Sequence, residues 1–248
     1  MSEPEINRHP DAKALAVAVA DELIRQLQAA VADRGVAHLV LTGGGIGIAV
    51  LAELHRTARR VGLDWSNIHL WWGDERFLPD RDPERNETQA REALLDHIDI
   101  PPEQVHPIPA SDATDGADVD HAATRYSQEL AVAAHGEGPV PRFDVCLLGV
   151  GPDAHVASLF PGLPQVHDDE AAVVGVRDSP KPPPLRVTMT LPSLRRARQV
   201  WLLVSGGSKA EAVRLGVAGG DPEEAPVAGA RGSERTVFWL DQEAAAQL

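Results

Sequence analysis

Cysteine occurs once in 248 residues, at Cys146, which excludes an intrachain disulfide framework and a cysteine-based zinc site. Set in an apolar run, it reads as a packing residue. No apolar run approaches the roughly 20 residues needed to cross a bilayer, so no membrane association is expected. The N-terminal stretch is polar and acidic and lacks a basic segment followed by an apolar one, so a cytoplasmic location is expected. Positive charge is scarce. Lys and Arg number 23 against 37 Asp and Glu, giving a net charge of -14, and only Lys13, Lys181 and Lys209 are lysines. Binding to nucleic acid relies on neutralising phosphates with cations, so nucleic acid is not expected as a partner.

What remains is an ordinary globular composition, 43% hydrophobic and 24% charged, of a length that suits one domain spanning residues 1–248. Leu15, Val19, Leu23, Leu27 and Val31 recur at helical spacing, and Gly35 should end that helix. Residues 37–42 read as a strand, a glycine turn follows, and Ile48, Leu51, Leu54, Ala58 and Val61 continue as a helix. Further strands are expected at residues 68–72, 143–150, 171–176, 186–189, 200–204 and 236–239. Helices are expected at 87–97 and 118–134 and from near Ser208 and Asp241, with Ser208 and Glu211 spaced as a capping box. The polar stretch around residue 110 reads as a loop. Such alternation argues for a mostly parallel, doubly wound α/β sheet.

In open α/β sheets ligands bind beyond the carboxyl ends of the strands, which directs attention to three strand ends. The first carries Thr42, Gly43, Gly44, Gly45 and Gly47. Accessible backbone N–H groups at a strand-to-helix turn suit a phosphate, whereas a tight turn needing positive φ would explain one or two glycines but less readily four in five positions. Lysine is absent from this loop, so the phosphate loop of nucleotide hydrolases is excluded. The second, WWGDERFLP, places Asp74, Glu75 and Arg76 in a row, either at the ligand edge or in a solvated, ion-paired loop. Asn86, with Gln89, resembles a helix cap. The third, GVGPDAHVASLFPG, presents His155 two residues after Asp153. A histidine pKa near 6.5 suits a general base, and a nearby carboxylate can orient the ring, although Asp153 also reads as a cap on a short helix. Gly149, Gly151 and Ala154 match the dinucleotide fingerprint, but Pro161 and Gly162 leave no room for the helix that fingerprint needs. Finally, SPKPPPLR fixes Lys181 and Arg186 on a stiff segment, as preorganised cations or as a solvated connector. Arg195, Arg196 and Arg198 read as a solvated face near a helix end.

Together, LTGGGIG, WWGDERFLP, GVGPDAHVASLFPG, SPKPPPLRVTMTLP and LLVSGGSKAEAV resemble the 6-phosphogluconolactonase family over nearly the whole chain. That resemblance implies a Rossmann-like three-layer α/β domain, related to glucosamine-6-phosphate deaminases and ribose-5-phosphate isomerases. It also implies hydrolysis of 6-phospho-D-glucono-1,5-lactone without metal or redox cofactor. His155 would be the general base and Asp153 its orienting neighbour. Arg76, Lys181 and Arg186 would hold the substrate with Asp74 nearby, and Thr42 to Gly45 would form part of a phosphate site. The implied partner is a small sugar phosphate, met by a monomer or small homo-oligomer. The chain departs from the family at Ala154, where glycine is usual, at Val156, where threonine is usual, and in its GGGIG loop, which lacks a serine-threonine-proline form. Amino-sugar phosphate deaminases and isomerases are the nearest rival, but they continue after the histidine with an asparagine and a glutamate that ASLFPG lacks. A non-catalytic sugar-phosphate sensor is the rival of another class.

Overall fold

A computed structural model describes residues 3–113 and 118–248. Of the loop expected around residue 110, residues 114–117 lie outside the described residues. The elements run β1 (Glu5–His9), α1 (Ala12–Arg34), β2 (Ala37–Leu41), α2 (Gly44–Val61), β3 (Ile68–Trp72), β4 (Asp74–Arg76) and α3 (Asn86–Ala93). They continue with β5 (Val105–His106), α4 (Val119–Ala133), β6 (Val145–Gly149), β7 (Val173–Val176), β8 (Arg186–Met189) and α5 (Leu191–Arg195). The chain ends with β9 (Gln199–Val204), α6 (Ala210–Ala218), α7 (Pro226–Gly229) and β10 (Arg235–Asp241).

Seven strands form one sheet in the order β1-β10-β9-β6-β2-β3-β5, and every pairing is parallel. The chain winds outward from β2 through β3 to β5, then returns to the middle at β6 and winds the other way. The boundary between β2 and β6 is therefore the point where the direction of winding reverses, the place at which such sheets open a crevice. Helix α1 begins at Asp11, whose carboxylate accepts from the Ala14 N–H, and stops at Gly35 with φ 78°. Its stripe of Leu15, Val19, Leu23 and Leu27 is completely buried, worth roughly 1.5–3 kcal/mol per side chain. On the opposite side of the sheet, α6 brings Gly216 against Phe238, where a Cβ would approach the ring to 2.9 Å. Layers of helix on both faces give the three-layer arrangement.

Several expectations need correction. Strand β1 was not anticipated, because EINRH is short and mostly polar; it is held by pairing with β10 at the other end of the chain. Strands β7 and β8 do not join the parallel sheet. They form a small antiparallel sheet, β4-β8-β7, in which Arg76 faces Arg186. The helix expected over 87–97 stops at Ala93, and residues Leu95–His97 form a separate single turn. No helix starts near Asp241, where β10 ends and its carboxylate accepts from the N–H groups of Gly206 and Ala244. The Ser208 capping box does not form, since α6 begins after Lys209 and Glu211 pairs with Arg214 instead. The arginine trio is not simply solvated. Arg195 donates to the Gly229 carbonyl, Arg196 to those of Val140 and Glu137, and Arg198 to Glu234. Among the described residues no helix is long and apolar enough to cross a membrane.

Candidate active site

At the carboxyl edge, where β2 and β6 diverge, the Thr42 hydroxyl accepts from the Gly149 N–H at 3.1 Å and ties the two strand ends together. A cleft of about 240 Å³ opens there. Its floor is the start of α2. Gly44 has φ 81°, which a side chain resists, while a Cβ on Gly43 would lie 1.9 Å from Asn86 Oδ1. Gly45 has neither constraint and open space beside it, which leaves room for a ligand at the α2 N-terminus. That terminus has no side-chain cap, so its N–H groups and the positive end of the helix dipole are free for an anion.

One wall comes from β4 and the first turn of α3. Asp74 is 7% exposed; its Oδ2 accepts from the Ser158 hydroxyl at 2.7 Å and its backbone carbonyl from Asn86 Nδ2 at 2.9 Å. Arg76 donates from Nη1 to the Glu84 carbonyl at 2.5 Å and to Asn86 Oδ1 at 3.3 Å. Asn86 is thus not a helix cap. Arg85 occupies the capping position, and the Asn86 side chain turns back to bridge Asp74 and Arg76 at the cleft.

The facing wall is the histidine turn, which contains no helix after Gly151, so the dinucleotide reading fails structurally. The turn is closed by the Gly151 N–H donating to the His155 carbonyl and by a bridge between Val150 and Val156. Asp153 folds back so that its Oδ1 lies 2.5 Å from His155 Nδ1. Glycine at 151 permits this, because a Cβ there would lie 2.0 Å from that nitrogen. Lys181 Nζ approaches the same carboxylate oxygen at 3.0 Å and His155 Nδ1 at 3.2 Å. Burial raises the Asp153 pKa, but the hydrogen bonds and charges of His155 and Lys181 outweigh it and hold the carboxyl far below its usual range. An ionised Asp153 fixes the ring proton on Nδ1 and leaves Nε2 as the basic nitrogen. The ring also packs on Phe160, with centroids 4.5 Å apart.

Lys181 reaches across from the proline-rich segment, whose Pro182–Pro183 bond is cis. Arg186 braces that segment, donating to the carbonyls of Lys181, Pro182 and Pro183, while its own side chain lines the cleft. A fourth cation, Lys209, enters from the turn after β9. That turn is pinned by Asp241, which accepts from Ser205 Oγ at 2.6 Å and from the Gly206 N–H. Burial, and then the nearby Lys181, lower the Lys209 pKa, while Asp241 raises it.

The structure therefore brings Thr42, Gly43, Gly44, Gly45, Asp74, Arg76, His155, Lys181 and Arg186 to one cleft, with Asp153 held against His155. Arg177, just before the proline-rich segment, is not there and pairs with Asp118 and Asp120. Sequence reasoning missed Lys209 and Ser158 and set Asn86 aside. Lys209 did carry a signal: it is one of three lysines and follows a strand through two glycines, the same placement as the first glycine loop.

Residues 10–239 match the model of the family described as glucosamine-6-phosphate isomerases/6-phosphogluconolactonase. The chain is 52% identical over 247 residues to a 6-phosphogluconolactonase of Streptomyces coelicolor, covering 99% of this chain and 95% of that protein. It is 52% identical over 239 residues to the 6-phosphogluconolactonase of Mycobacterium tuberculosis, covering 96% of each. Among solved structures it is similar to 6-phosphogluconolactonase from Trypanosoma brucei, with TM-score 0.84, 30% identity and full coverage of both chains. A monomeric glucosamine-6-phosphate deaminase of the NagB superfamily shares the fold at TM-score 0.81 and 24% identity, covering 98% of this chain and 100% of that one.

Proposed function

The chain belongs to the glucosamine-6-phosphate isomerase/6-phosphogluconolactonase family, and from that premise we propose that it hydrolyses 6-phospho-D-glucono-1,5-lactone to 6-phospho-D-gluconate in the oxidative pentose phosphate pathway. One observation carries the catalytic assignment: His155, its Nδ1 held by Asp153 at 2.5 Å, faces a cleft lined by Arg76, Lys181, Arg186 and Lys209. An oriented base amid cations suits an anionic ester-like substrate.

His155 Nε2 takes a proton from water as the water oxygen bonds to C1 of the lactone. The carbonyl electrons move onto oxygen, and a cleft cation or backbone N–H stabilises that oxyanion. Collapse re-forms the carbonyl and breaks the bond from C1 to the ring oxygen, which receives the proton back from the imidazolium. The product is an open-chain carboxylic acid with a new hydroxyl. Such a base contributes roughly 10² to 10⁴-fold, enough for a strained lactone that already hydrolyses readily. The uncapped α2 N-terminus, with Thr42 and Lys209, is the natural seat for the phosphate, since aligned N–H groups and a lysine together favour a dianion. Asp74, fixed by Ser158, offers a carboxylate to a sugar hydroxyl.

The same reading makes the protein a single cytoplasmic domain, 1–248, acting on a small sugar phosphate as a monomer or small homo-oligomer. A net charge of -14 supports excluding nucleic acid. Freshly generated lactone should be consumed well above its spontaneous rate, while glucosamine 6-phosphate yields no ammonia. The variant His155→Ala should lose roughly 10² to 10⁴-fold in turnover while still binding 6-phosphogluconate. Turnover near that of the unaltered protein would overturn the assignment.

A further inference from the structure

A carboxylate that the proposed chemistry does not use lies directly behind the cleft wall. Glu75 is completely buried between Asp74 and Arg76, both of which line the cleft. Its Oε1 accepts from the backbone N–H of Arg76 at 2.8 Å and of Asn86 at 2.7 Å; its Oε2 accepts from that of Glu87 at 2.9 Å. Arg85 Nη2 stands 3.7 Å from Oε2 and is itself buried, donating to the carbonyls of Ile108 at 2.8 Å and, through Nη1, of Leu78 at 3.2 Å. The first N–H groups of a helix have no partner within it, and Arg85, at the capping position of α3, supplies none from its side chain. Glu75 does so instead, from a different strand. One carboxylate therefore sets the distance between β4 and the start of α3. The two residues so fixed meet in the cleft, where Arg76 donates to Asn86 and Asn86 to Asp74.

We propose that Glu75 is a positioning residue for the lactonase reaction, its carboxylate holding Arg76 and Asn86 at the separation the substrate requires. The inference rests on the reading that this cleft turns over 6-phosphogluconolactone. The carboxylate performs this task when ionised, because an anion accepts all three N–H groups and compensates the buried Arg85. Protonation would turn one oxygen into a donor aimed at donors. Burial pushes the Glu75 pKa up to about 7, against Arg85 and the three N–H groups. The other groups around it are Asp74 and Arg76 on β4, Glu87 on α3, Tyr126 on α4 and Arg186 on β8, the last two coupled to Glu75 by charge. The brace accordingly loosens as pH falls through about 7.

The test is Glu75→Gln, which keeps the shape but places an NH₂ group against the Glu87 N–H or Arg85. With turnover measured well below the unfolding midpoint, KM for the lactone should rise about 10-fold at pH 7.5 while kcat changes by less than about 3-fold, the split expected for a lost binding geometry. KM of the unaltered protein should rise more steeply below pH 7 than that of the variant. In an Arg76→Ala background the same change should add little, because coupled sites are non-additive. Glu75→Asp, which keeps the charge but withdraws it by one methylene, covers the case in which the glutamine variant does not fold, and should raise KM several-fold. An unchanged KM in either folded variant, or a full additional loss on top of Arg76→Ala, would overturn the inference. If the unaltered protein fails to consume the lactone, the functional reading fails instead; 6-phosphogluconate binding by calorimetry, weakened by Glu75→Gln, then still reads the geometry of the cleft.

Discussion

Two histidines on the same parallel sheet meet opposite fates. His155 lies beyond the carboxyl end of β6, with Asp153 and Lys181 against Nδ1 and Nε2 left for the cleft. His38 is the second residue of β2, near the other edge of the sheet. There Nδ1 accepts from Trp71 Nε1 at 3.2 Å, and the ring stacks on His69 with centroids 4.8 Å apart. His69 in turn stacks on His106, whose Nδ1 meets Glu129 at 2.6 Å. Burial first, and then the neighbouring His69 and His106, lower the His38 pKa to about 3. The same imidazole is thus placed for the proposed proton transfer where a carboxylate orients it and one nitrogen stays open. Where a tryptophan occupies its acceptor and, among the described residues, no carboxylate is seen bonded to the ring, it is a piece of neutral packing.

The sharpest way to break this contrast is acid. Because folding depresses the His38 pKa, the unfolded chain takes up a proton at this residue first as pH falls below about 6.5, so the contribution of His38 to stability is complete above that pH and is lost between about 6.5 and 3. The full loss of that contribution is on the order of 5 kcal/mol. Glu75, its pKa raised to about 7, acts in the opposite sense over part of this range, so the reading is a difference: the unfolding free energy of the unaltered protein relative to His38→Asn, which keeps an acceptor near Trp71, should fall from pH 7.5 to 4.5. An unfolding free energy that keeps a constant offset from that of His38→Asn between pH 6.5 and 5 would dissolve the contrast. At the other end of the sheet, Asp153→Asn should leave the fold intact but free the ring tautomer, lowering kcat by roughly 10²-fold, about 3 kcal/mol of transition-state stabilisation. A kcat within threefold of the original would mean that Lys181 and Phe160 orient His155 without the carboxylate.

How much of this was legible beforehand differs between the two regions for a physical reason. The central strands announced themselves, since residues 143–150 and 200–204 are rich in apolar and β-branched residues and pair side by side in the middle of the parallel sheet. Strand β1 did not, because EINRH has no apolar alternation and depends on β10, more than 200 residues away in sequence. His155 and Asp153 were readable because their interaction spans two residues and is built by one glycine-marked turn. Asn86 was misread because its spacing from Gln89 mimics a local cap, whereas its actual partners, Asp74 and Arg76, lie 12 and 10 residues back. The three adjacent glycines looked like one signal and proved to be three: Gly43 yields space to Asn86, Gly44 takes positive φ, and Gly45 borders open space.

The smallest expected effect concerns why His155 sits in a strained turn while His38 sits in regular strand. Ala154 adopts φ 65° and Ala157 φ 50°, so the histidine turn places two side-chain-bearing residues in the left-handed region on either side of His155. Ala154 is nonetheless well held. It is 2% exposed, its N–H donates to the Gly151 carbonyl, and its own carbonyl accepts from the Val227 N–H at 3.0 Å. Replacing it with glycine, the residue usual in the family, removes roughly 1–2 kcal/mol of left-handed strain. It also costs about 0.5–1 kcal/mol in unfolded-chain entropy and about 0.8 kcal/mol for the buried methyl. These nearly cancel. Ala154→Gly should therefore shift the thermal midpoint by no more than about 4 °C and leave kcat within twofold, whereas Ala154→Val, adding a β-branch at positive φ, should destabilise clearly. A large gain or loss on Ala154→Gly would mean that residue 154, rather than Gly151 and the Val150–Val156 bridge, decides where the His155 ring points.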